Sequence, residues 1–186
     1  VMNNFSLDSV SGLDQLQAIG GSLLVSNNPI LANLEGMENL ISIGEDMTFG
    51  ANPSLKSLNA LHNLNQINGQ LRILDNDSLV SLNGIGMISP GSISQLKVNG
   101  NLLLSQCSVQ SICDYLSVSG SVSEIFDNAT GCNTEAEVKA FCDTMMVKEI
   151  SPIRIFLVYP NPATEEVTLE YFSEDQGPVH VKICNF

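Results

Sequence analysis

The residues best suited to chemistry in this 186-residue chain are its five cysteines. Four of them, Cys107, Cys113, Cys132 and Cys142, fall within one short stretch. Such clustering predicts disulfides formed in an oxidising compartment. Four cysteines allow three pairings, of which 107 with 132 and 113 with 142 is preferred, leaving Cys184 as the free thiol. Zinc is the competing use, but the spacings contain no CxxC pair and neither His62 nor His180 lies nearby. A catalytic thiol would need a base, and none of these has an evident His partner. The expectation is therefore no metal, no cofactor and no catalytic residue.

Charge is the next source of chemistry. The chain carries 20 acidic and 7 basic residues, for a formal charge of −13. Nucleic acid rewards clustered Lys and Arg, and an anionic membrane does the same, so both are disfavoured as partners. Before Cys107 the basic residues are Lys56, Arg72 and Lys97. Arg72 and Lys97 are expected side by side on a sheet face, where they could accept a carboxylate, a sulfate or an acidic sugar; the simpler reading is two solubilising charges. Asp75, Asn76 and Asp77 hint at calcium but lack the remaining oxygens and the glycine of a binding loop, which predicts a surface turn. Asn4-Phe5-Ser6, Asn76-Asp77-Ser78 and Asn128-Ala129-Thr130 match the glycosylation sequon, a pattern short enough to arise by chance.

The elements that position these residues recur every 24 residues. Leu7, Leu31, Leu55 and Leu79 form one column; Val10, Leu34, Leu58 and Leu82 a second; Leu13, Met37, Leu61 and Ile85 a third; Leu16, Leu40, Leu64 and Ile88 a fourth. Leu23-Leu24-Val25, Met47-Thr48-Phe49 and Leu71-Arg72-Ile73 alternate with period two and predict short strands stacked in parallel. The remaining third-place apolar spacing suits a tight path with short 3₁₀ pieces. A fixed period of this length predicts a solenoid, whose turns bury their apolar sides against one another. Asn28, Asn52, Asn76 and, after a one-residue insertion within Ile88 to Ile93, Asn101 close the turns. They are expected to form a buried ladder that satisfies backbone groups. Gly12, Gly36 and Gly84, with Ala60 as the exception, ask for close backbone approach or an unusual φ. Val1 and Asn4 stand one period before Val25 and Asn28, so the chain is expected to open within a turn, without its natural amino terminus.

Carried by Leu7 to Asn28, Leu31 to Asn52 and Leu55 to Asn76, the pattern L-x-x-L-x-G-L-x-x-L-x-x-I-x-x-x-L-x-I-x-x-N resembles the leucine-rich, right-handed solenoid of the receptor L-domain family, in its bacterial form. The likeness spans roughly residues 1–106. It implies extracellular ligand binding without specifying the ligand. On the open strand face the alternation places Leu24, Ser26, Asp46, Thr48, Gly50, Gln70, Arg72, Leu74, Gln95, Lys97 and Asn99. Thr48, Arg72, Lys97 and Asn99 are the ligand-binding candidates.

Residues 107–145 break the period. Val109, Ile112, Cys113 and Leu116 have helical spacing, Ser121 to Phe126 can add a last strand, and Thr134-Glu135-Ala136-Glu137 is a capping box opening a second helix. This is the disulfide-stapled cap that a solenoid's final turn requires. Residues 146–152 are a linker. From 153 to 186, the run Tyr159-Pro160-Asn161-Pro162-Ala163-Thr164, followed by alternating Val167 and Leu169, resembles the opening of the carboxy-terminal sorting domain of the bacterial type IX secretion system. That likeness implies a partial Ig-like sandwich, recognition by the secretion machinery once the domain is complete, and a place outside the outer membrane of a Gram-negative bacterium, secreted or on the cell surface. Apolar alternation on an exposed strand edge also permits a strand-mediated dimer.

The fold class expected is mainly β with some α. No apolar run approaches the roughly 18 residues of a membrane span, so no insertion is expected. The favoured function is a binding or adhesion module for an extracellular protein or glycan. The alternative is a structural spacer presenting another domain. An enzyme ranks last, since no nucleophile, base and oxyanion donor can be assembled.

Overall fold

The computed structural model describes residues 1–145 and, beyond them, the strand backbone of residues 156–159, 166–173 and 177–184; side-chain surroundings are described as far as residue 144. In chain order the elements of the first part are β1 (Ala18–Ile19), β2 (Leu23–Ser26), β3 (Ser42–Ile43), β4 (Met47–Gly50), β5 (Gln66–Ile67), β6 (Gly69–Leu74), β7 (Ile93–Asn99), α1 (Gln110–Ser117), β8 (Ser123–Phe126) and α2 (Glu135–Met145). Short 3₁₀ turns lie at Asn59–Leu61, Asn83–Ile85 and Pro90–Ser92. The chain divides into two compact units, Val1–Asp143 and Thr144–Phe186.

The first unit is mixed α and β. It carries a five-stranded parallel sheet in the order β2-β4-β6-β7-β8 and a smaller parallel sheet β1-β3-β5. Residues one period apart become rung partners: Leu23 with Met47, Met47 with Leu71, Val25 with Phe49, Phe49 with Ile73. Their side chains point inward with Leu31, Leu34, Leu40, Leu55, Leu58, Leu61 and Leu64, all buried. Leu7, Leu13, Leu16 and Ile19 of the first repeat are only partly buried, because no full repeat of the first unit stacks on their outer side. The period predicted an inward direction for every column; complete burial also requires a neighbour on both sides.

The inserted residue lies later than the Ile88 to Ile93 segment. Gly69 still faces Ile93, whereas Gln70 faces Gln95, so the ladder shifts at Ser94. A bulge inside β7 absorbs it, a cheaper place than a turn whose apolar residues must reach the core.

In the column of Gly12, Gly36 and Gly84, two glycines are required by contact. A Cβ on Gly36, whose φ is +104°, would lie 2.6 Å from the carbonyl oxygen of Val10. One on Gly84 would run into the backbone of Leu58 and Asn59. Gly12, in the same column, would meet nothing within 4 Å, so in the first repeat the need disappears with the neighbour.

Past the repeats, α1 buries Ser111, Ile112, Cys113, Tyr115 and Leu116. Ser111 is polar and almost wholly buried; its hydroxyl donates to Ile85 O at 2.7 Å, anchoring the helix on the preceding repeat. Tyr115 Oη donates to Val122 O at 2.8 Å and accepts from Val122 N, tying α1 to the approach of β8. β8 then extends the sheet in parallel, pairing Lys97 with Glu124 and Val98 with Ile125. The capping box of α2 closes on one side only. Glu137 N donates to Thr134 Oγ1 at 3.1 Å, but the Glu137 carboxylate turns back to accept from Gly131 N and Asn133 N, at 2.7 and 3.0 Å. It serves the loop beneath the helix, where those N–H groups have no strand partner.

Cys107 is bonded to Cys132 and Cys113 to Cys142, with Cα separations of 5.6 and 5.5 Å. All four are buried. In the second unit β9 (Phe156–Tyr159), β10 (Glu166–Ser173) and β11 (Gly177–Cys184) form an antiparallel sheet in the order β11-β10-β9. Of the run Tyr159 to Pro162 only Tyr159 lies in it, ending β9; Pro160, Asn161 and Pro162 lie outside the described residues, as does the side chain of Cys184. No helix among the described residues is long and apolar enough to cross a membrane.

Candidate functional site

The outward face of the five-stranded sheet is built from residues that alternate with the buried ones. Its central row is Leu24, Thr48, Arg72, Lys97 and Glu124, each the rung partner of the next. A parallel row runs through Ser26, Gly50, Leu74, Asn99 and Phe126. Thr48, Arg72, Lys97 and Asn99 all sit on this face and are half-buried by their neighbours. Gly50, expected to be exposed here, is buried: having no side chain, it leaves its backbone beneath the flanking residues of adjacent rungs.

Arg72 and Lys97 do not form an open anion site. Arg72 Nη1 lies 3.2 Å from Asp46 Oδ2, and Lys97 Nζ lies 2.6 Å from Glu124 Oε1. Each cation leans away from the other toward a carboxylate on its outer neighbour, which relieves like-charge repulsion between adjacent rungs. The face thus holds two cations and two anions and balances to zero. Two amides extend the pairs. Gln70 Oε1 accepts from Arg72 Nη2 at 2.5 Å, and Gln95 Nε2 donates to Glu124 Oε1 at 3.3 Å. Glu124 escaped the sequence reading because β8 follows an aperiodic stretch, and no repeat announces which residue will face Lys97.

The asparagines form a continuous internal ladder. Asn28 Nδ2 donates to Asn52 Oδ1 at 3.1 Å, Asn52 to Asn76 at 3.2 Å, and Asn76 to Asn101 at 3.2 Å. Each Oδ1 also accepts the backbone N–H of the preceding Asn, as from Asn28 N to Asn52 at 3.1 Å. Each amide further donates to a carbonyl one turn away: Asn52 to Val25, Asn76 to Phe49, Asn101 to Ile73. Among the described residues no buried side-chain N or O lacks a partner. The ladder has one rung more than the repeats suggested. Asn101 Nδ2 donates to Asn128 Oδ1 at 2.9 Å, and Asn128 passes the chain to Val98 and Cys132.

This explains the sequons. Asn76 and Asn128 spend their amides inside the protein, so the resemblance at Asn76-Asp77-Ser78 and Asn128-Ala129-Thr130 reflects the corner of a repeat. The residue before each ladder amide has positive φ: Asn27 58°, Ala51 52°, Asp75 54°, Gly100 70° and Asp127 52°. Only a left-handed residue turns the backbone so that the next amide points inward. The sequence conceals this, since four of the five positions are not glycine.

A second concavity of about 370 Å³ opens between the second and third repeats, away from the sheet, with Glu35, Glu38 and His62 in its wall. Its groups serve the local turns. Glu38 Oε2 accepts from Gly36 N at 2.8 Å, and His62 Nδ1 lies 3.0 Å from Asn59 O. Among the described residues no group of three or more His, Cys, Asp or Glu could hold a metal ion. His180 lies on β11 in the second unit. No protein-family model matches the chain, and neither the curated proteins nor the solved structures contain a match.

Proposed function

We propose that the chain is the binding or adhesion module of a secreted or cell-surface bacterial protein, with its ligand on the outward face of the five-stranded sheet. The observation that carries this reading is the face itself: five parallel strands present rows of mostly polar side chains that no other element of the first unit covers. Repeat proteins bind along such surfaces. A leucine-rich solenoid of the receptor L-domain type is supported by rung partners one period apart and by the asparagine ladder. The two disulfides suit an oxidising, extracellular compartment. Export by type IX secretion rests on the resemblance of Tyr159 to Thr164; the antiparallel strands β9 to β11 form one sheet, where a sandwich needs two.

A spacer is the second reading, favoured by the self-neutralised charges of the face, which leave neither Arg72 nor Lys97 free to attract a ligand. The two separate on an array of immobilised glycans and extracellular proteins, probed with the parent chain and with its Thr48→Arg variant. Binding by the 186 residues, abolished by Thr48→Arg on the face, is expected. No binding, or binding that Thr48→Arg leaves unchanged, would favour the spacer.

A further inference from the structure

The hydrogen bonds that neutralise the face also give two neighbouring amides opposite polarity. Gln70 and Gln95 are rung partners on β6 and β7. Amide orientation is ordinarily ambiguous, but here the partners determine it. A guanidinium only donates, so the Gln70 oxygen must face Arg72; a carboxylate only accepts, so the Gln95 nitrogen must face Glu124. What remains is an unused N–H₂ on Gln70 and an unused carbonyl oxygen on Gln95, with no partner among the described residues.

Resting on the binding reading above, we infer that this fixed donor beside a fixed acceptor, on a charge-balanced strip, recognises a neutral glycan. Adjacent sugar hydroxyls each donate and accept, so one pair can satisfy both amides at once. An acidic sugar would find both cations already engaged and would enter a protein of formal charge −13. A peptide pairs best through its main chain along a free sheet edge, whereas these groups stand on the face between two paired strands.

The test is a neutral and acidic oligosaccharide array followed by titration of the tightest neutral hit into the parent, Gln70→Leu, Gln95→Leu and Thr48→Arg proteins. Both glutamines are half-exposed, so melting temperatures should match the parent and verify folding. The expected result is binding of neutral oligosaccharides, a loss of about tenfold in affinity for each Gln→Leu change, and abolition by Thr48→Arg. Binding blocked by Thr48→Arg but unchanged in both glutamine variants overturns the amide-pair inference and leaves the face reading standing. So does a ligand set consisting only of acidic sugars or peptides. A ligand indifferent to all three changes overturns the face reading itself.

Discussion

The repeats and the cap solve one problem in two ways. From Leu23 to Asn101 each turn is tied to the next by inward apolar columns and by one buried amide per turn, with no covalent link. From Cys107 onward the columns stop, and two disulfides join residues 25 and 29 apart in sequence, about one turn's length. A periodic chain can hold its turns together with a modest contribution repeated at each level; an aperiodic one has no such repetition and relies on a few strong links. The boundary is not sharp, because Asn128 carries the ladder one rung into the cap.

The largest test of this contrast is to damage a column. Phe49→Ala should cost about 3–5 kcal/mol through the cavity it leaves. Leu58→Asp should cost at least as much by burying an unpaired charge. Chemical denaturation should show all strands β2 to β7 lost in one transition for both variants. Melting at the parental temperature would mean that the turns do not share one core.

Next comes the staple. Cys113→Ser with Cys142→Ser should cost about 2–4 kcal/mol by releasing a closed loop. Hydrogen exchange should find the loss concentrated in α1, β8 and α2, with β4 and β6 protected as before. A uniform loss would make cap and repeats a single cooperative unit.

The ladder should matter somewhat less. Asn76→Leu leaves the buried backbone N–H of Asn52 without its acceptor and takes one donor from each of the carbonyls of Phe49 and Leu74, at about 1–3 kcal/mol for a buried orphan group. A parental midpoint in urea would mean that trapped water replaces the amide.

In the opposite direction, Ala51 holds a φ of 52° that its Cβ disfavours. Ala51→Gly should therefore stabilise the repeats, by roughly 1 kcal/mol at most, read as a small rise in melting temperature.

The smallest effect belongs to the cap. Hydrogen bonds from Lys139 and Ser123 hold the Glu135 carboxyl below the ordinary glutamate range. A lowered folded-state pKa contributes stability above the unfolded-state value, and this is lost as pH falls through the folded-state value. Glu135→Gln should thus flatten the acid side of the cap's melting profile while leaving neutral pH nearly unchanged. A profile as steep as the parent's would assign the acid sensitivity to other carboxylates.

How much could be read in advance follows the same division. Columns such as Leu31, Leu55 and Leu79 fall inward because repetition leaves one side of every turn apolar, and burial has only one direction to take. The amides at Asn28, Asn52, Asn76 and Asn101 were legible for the same reason: a polar residue kept at a fixed phase amid buried neighbours must satisfy backbone. The pairing of the four cysteines was a matter of preference among three possibilities, settled only by where α1, α2 and the loops beside them lie.

By itself the amino-acid order determined the period, the inward and outward alternation of the strands and the place where the repeats give way to cysteines, since each depends on local spacing. Tertiary structure alone decided that Arg72 and Lys97 are already engaged, that Asn128 adds a rung, that Ser94 absorbs the extra residue, and that the corner before each ladder amide is left-handed. The first three depend on which residues meet in space, and the last on a backbone angle that the residue types at those corners do not reveal. Coulomb attraction and hydrogen bonding act through space, and only the folded chain shows which partner came within reach.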